Sequence, residues 1–157
     1  MNEIITNQAL ELQTVIYKAP ALITLYVVSQ TGGGHLDPSE EKSAKMYLSI
    51  LSNQGPEELQ DYFKEVKQTF EQDLNGLNKE LPANSDKRKE EIELRLKPVK
   101  NFILTLPSAQ GVVFKEALLS FIIHSRNANK DTLLSVILPF ISDDLMKIED
   151  ERMRRIL

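Results

Sequence analysis

Apolar residues recur along this chain every three or four positions, and prolines, glycines and Asx residues cut the pattern into helices. The clearest run is Leu59, Phe63, Val66, Phe70, Leu74, Leu77 and Leu81, a continuous stripe down one long helix opened by Pro56. Lys67–Glu71 and Asp61–Lys64 are spaced to pair on its outer side, and Gly76 weakens its last turns. Before it, Asp37-Pro38-Ser39-Glu40 offers an N-cap acceptor, a proline at the first helical position and a glutamate two positions further on. That start opens a helix with Ala44, Tyr47, Leu48 and Leu51 inward, ending at Asn53-Gln54-Gly55.

Two segments are apolar over most of their circumference and are expected at the centre: Ala21 to Val28, and Val112 to Ile123. A helix over Asn2 to Tyr17, with Ile5, Leu12, Val15 and Ile16 on one face, precedes the first of them. Pro20 reads as the first turn of the next helix, since its missing N–H costs nothing there. Gly32-Gly33-Gly34 ends that second helix. After the break at Pro82 to Ser85, Ile92, Leu96, Val99, Ile103 and Leu106 keep helical spacing, with Glu91–Arg95 and Glu93–Lys97 in acid-first order. Pro98 predicts a kink there or two abutting helices. Ser108 is placed to cap the following helix. Asn127 to Lys130 reads as a loop, Asp131 as the cap of a helix interrupted near Pro139, and Ser142-Asp143-Asp144 as the start of a charged final helix. No strand pattern competes. The expectation is one all-α domain over residues 1–157, an orthogonal or antiparallel bundle of six to eight helices.

Composition narrows the chemistry. The 157 residues carry a net charge of −4 and no cysteine. Nucleic acid is an unfavoured partner without a basic excess, and disulfides, thiolate nucleophiles and cysteine–metal sites are excluded. The start, MNEIITNQALELQ, lacks the basic region of a secretory signal. The two apolar stretches, broken by Thr24, Lys115, Glu116 and Ser120, fall short of the roughly 20 residues a membrane span needs. A cytoplasmic chain with no membrane span is the expectation.

Ala21 to Ser29 laid over Ala117 to Ser125 matches in identity or character at seven of nine positions, and each segment leads through a polar loop to an aspartate, Asp37 or Asp131. Two related halves, or a shared alphabet of buried helices, both produce this. An apolar helix, a glycine-bearing loop and then Gly34, Leu36, Pro38 and Glu40 resemble the TerB-like family of tellurite-resistance proteins; Gly33 stands where that family carries an acid. The resemblance implies a cytoplasmic, stress-associated all-α module of two related halves, with a protein partner rather than a reaction. It also implicates the acidic loop in holding a divalent cation such as calcium.

The residues available there are Asp37, Glu40 and Glu41, with His35 for a softer ion. The bland account of the same acids is a capped helix whose dipole they complement. Phosphate is disfavoured by the acids beside the triglycine, and no lysine follows as in a P-loop. His124, one turn from Phe121, reads as a core histidine; with His35 and nearby acids it also supports an alternative, a metal-dependent enzyme. Nucleophile-elbow, zinc-protease and dinucleotide motifs are missing. The pairs Glu57/Glu58, Glu90/Glu91 and Asp143/Asp144 sit where solvated helix starts would put them. Lys87-Arg88-Lys89 and Arg152, Arg154 and Arg155 read as solvated or salt-bridged clusters. The long helix bears seven acids against three lysines. That acidic face meeting a basic cluster of a second copy gives a third reading, a ligand-free homodimer.

Overall fold

The computed structural model describes residues 1–30 and 38–126. These form six helices and, among the described residues, no strand: α1 Asn2–Thr6, α2 Leu10–Gln30, α3 Pro38–Gln54, α4 Glu57–Glu80, α5 Ser85–Thr105 and α6 Ser108–Arg126. The all-α bundle expected from the sequence is what forms. The expected elements around Asp131, Pro139 and Ser142, and the cluster of Arg152, Arg154 and Arg155, lie outside the described residues.

Every member of the α4 stripe from Leu59 to Leu81 is buried. Tyr62, off that stripe, is fully buried as well, so α4 is wrapped more widely than its period suggests. It packs on both α2 and α3, while α2 also meets α5 and α3 meets α6. Phe70 meets Phe121 of α6 edge-on at 5.8 Å between ring centres. Tyr62 lies 5.0 Å from Phe114 and stacks on Tyr17 at 5.5 Å.

The N-terminal helix expected over Asn2 to Tyr17 is instead two. The chain breaks after Thr6, where the Gln13 side-chain amide donates to the carbonyls of Thr6 and Gln8, at 3.2 and 2.7 Å. The second piece then runs through Pro20 to Gln30 as one helix. Pro20 is therefore interior, not a first-turn residue, and it leaves the Ile16 carbonyl without its helical donor. The Tyr62 hydroxyl supplies one, at 2.7 Å and fully buried. Burial, and secondarily the neighbouring Tyr17, pushes the Tyr62 phenol well above its ordinary pKa. Within the wholly buried stretch Ala19 to Ser29, Thr24 and Ser29 satisfy their hydroxyls on the carbonyls of Pro20 and Leu25.

Joining the two segments has another effect. Leu10–Ser29 makes 20 residues with a mean hydropathy of 1.3, long and apolar enough to cross a membrane, whereas the interrupted stretches read from sequence were too short. In the bundle, 61% of that window is buried against protein.

Pro98 likewise lies inside one helix, so the alternative of two abutting helices does not hold. The turn before α5 is braced from both sides. Asn84 caps the helix by accepting from the amides of Asp86 and Lys87, at 3.0 and 3.1 Å. Arg88, expected on a solvated basic face, is buried. Its guanidinium donates to the Pro82 carbonyl, the Asn78 side chain and the Asn78 carbonyl, at 2.8, 2.6 and 3.0 Å. Those contacts place a cation against the C-terminal turn of α4, where carbonyls lack helical donors and the dipole is negative.

Candidate functional site

Helix α3 lays Ala44, Leu48 and Leu51 inward, yet it also exposes Met46 (58%) and Ile50 (45%), one turn apart on its outer side. Open depressions flank this ridge.

The first depression, about 400 Å³, lies between the N-terminal half of α3 and α4. Lys45 sits in it, 3.4 Å from Glu41 and 2.9 Å from Glu71. Hydrogen bonding to Glu71 is the largest cause raising the Lys45 pKa above the lysine norm, so the ammonium stays charged. Glu71, expected to pair with Lys67 along its own helix, reaches across to α3 instead. The sequence also placed Glu93 beside Lys97; the structure gives Glu93 the Tyr26 hydroxyl, at 2.7 Å.

This geometry bears on the cation expectation. Glu40 and Glu41 stand in the first turn of α3, as the sequence placed them. Glu41 is engaged by Lys45, whose charge opposes a metal ion at that carboxylate. His35 and Asp37 lie outside the described residues. Position 124 falls in the last turn of α6, but its side chain is outside them too. Among the described residues no three of His, Asp or Glu gather in a group suited to a metal ion.

The second depression is larger, about 710 Å³, and is the candidate site. It forms where the C-terminal half of α3, the start of α4 and the middle of α6 meet. Leu51 and Ala117 are buried beneath it; Ile50 and Val113 stand at its sides. The Tyr47 hydroxyl and the Ser120 hydroxyl are hydrogen-bonded at 2.6 Å, tying α3 to α6 across it. Among the described residues, Glu57, Glu58 and Glu116 supply all the charge in its lining, and no lysine or arginine lines it.

One residue shapes this corner. Gly55 passes the chain from α3 to α4, and its amide donates to the Leu51 carbonyl at 3.1 Å. A Cβ on Gly55 would come within 2.5 Å of that oxygen. The Gln60 side chain donates to the Gly55 carbonyl at 2.9 Å, which holds the corner against the first turns of α4.

Sequence reasoning placed Tyr47 and Leu51 on the inner side and Glu57/Glu58 at a helix start, but it did not bring them together. The available signal was the i, i+4 pair Met46 and Ile50, apolar residues on the side of α3 that its inward residues leave to solvent. No family model, no curated protein and no solved structure matches the chain.

Proposed function

We propose that the chain is a non-enzymatic helical interaction module, and that the α3–α4–α6 groove receives a segment of another protein. The resemblance of residues 33–40 to TerB-like loops leads to the same class. The observation that carries the reading is the groove itself: an apolar floor between two helices, a half-exposed isoleucine at its edge, and, among the described residues, one sign of charge in its lining. A small-molecule site typically encloses most of its ligand. This depression is open and shallow rather than enclosed, as surfaces that receive helices and extended peptides are.

The test is whether the groove takes apolar groups in preference to other exposed apolar positions. Isopropanol titrated into methyl-labelled protein should move the Ile50, Val113 and Ala117 methyl resonances together, before those of the exposed Leu94 and Leu104. Equal shifts at all of these positions would remove the groove from consideration.

A further inference from the structure

The groove's chemistry selects among occupants. Among the described residues its lining combines an apolar floor with three glutamates and no base. Glu57 and Glu58 are exposed at the start of α4, and neither is in an ion pair among the described residues. An anionic membrane surface or a nucleic-acid backbone would meet like charge there, in a chain already at −4. The walls are short. Tyr47 to Gln54 and Val113 to Ser120 each span seven residue steps, about 10 Å of helix, or two turns.

We propose that the occupant is a short basic amphipathic helix of a partner protein. It sets two apolar side chains, three or four residues apart, over Leu51 and Ala117, and it points lysines or arginines at Glu57 and Glu58. The proposal rests on the interaction-module reading above and adds the partner's chemistry to it. Electrostatic complementarity of this kind governs encounter rate and partner choice more than raw affinity. Neutralising the rim is therefore expected to weaken binding several-fold without abolishing it.

The probe is a fluorescein-labelled, 14-residue Leu/Lys peptide with leucines at helical spacing, followed by anisotropy against the full chain. A Leu/Glu peptide with the same leucine positions is the counterpart. The expected result has three parts. The Leu/Lys peptide binds and the Leu/Glu peptide does not. Glu57→Gln/Glu58→Gln weakens binding by roughly fivefold, and the distant Glu11→Gln/Glu90→Gln pair leaves it unchanged. Ile50→Asp, checked for an unaltered helical spectrum, removes it.

Several results would overturn the proposal. If both acid-to-amide pairs weaken binding equally, the attraction is only net charge. If the Leu/Glu peptide binds as tightly, the groove is a docking site but not for a basic partner. If neither peptide binds while isopropanol still moves the Ile50 and Val113 methyls, this proposal falls and the groove reading stands; without those shifts both fall. If sedimentation shows self-association that Ile50→Asp abolishes, the occupant is a second copy of this chain.

Discussion

Pro20 in α2 and Pro98 in α5 each remove one hydrogen bond from the interior of a 21-residue helix. The carbonyls they deprive, on Ile16 and Leu94, meet opposite surroundings. Ile16 is fully buried, so its oxygen cannot turn to water, and Tyr62 from α4 donates to it at 2.7 Å. Leu94 is 65% exposed and Pro98 is exposed too, which leaves that carbonyl to solvent. The cost of an interior proline is thus set by where the orphaned oxygen points, and only the buried case demands a dedicated donor.

Tyr62→Phe tests the buried case most severely. It strands the Ile16 oxygen while preserving ring packing, so it should lower unfolding free energy by about 2 kcal/mol in a urea titration. An effect no larger than that of an ordinary surface substitution would show that the hydroxyl is dispensable. Pro20→Ala restores an N–H to Ile16 and makes the Tyr62 hydroxyl redundant. A double-mutant cycle over Pro20→Ala and Tyr62→Phe should therefore give a coupling of about 1.5 kcal/mol, and strict additivity would break the proposed link.

At the exposed proline, Pro98→Ala needs no compensating change and should raise stability by about 1 kcal/mol, read as a higher melting temperature. A loss of stability there would mean that the ring contributes packing its exposure does not suggest.

The smallest expected effect is in pH. The Tyr62 phenol keeps its proton in the fold above the pH at which an unfolded tyrosine loses it, so its contribution is complete below pH 10. It is lost as pH rises through the elevated native value. Between pH 8 and 10.5 the natural chain should lose roughly 0.8 kcal/mol more than Tyr62→Phe, which carries no phenol at that position.

The same comparison explains what could be read from the chain. The α4 stripe was fully legible because its partners need only be apolar, and period alone places them. The continuity of α2 was not, because the donor that makes Pro20 tolerable lies 46 residues away in sequence. Arg88 was misplaced for a similar reason. A basic triplet beside acids looks like a solvated face until the carbonyls at the end of α4 are set against it. The groove was hidden further still, since its floor, edge and rim come from three helices, each unremarkable by itself. At the loop expected to hold a cation, the sequence placed Glu40 and Glu41 correctly in a first helical turn. It offered no sign that Lys45 would bring Glu71 across from α4 to the same spot.

The corner at Gly55 has a practical consequence for anyone reshaping this protein. A methyl group there would press on the last turn of α3, prising Ile50 away from Glu57 and Glu58, which follow within three residues. A tag, hinge or insertion at that joint would therefore part the greasy half of the cleft from its charged half, even with both helices intact. Attachments are better carried on the outer surface of α5.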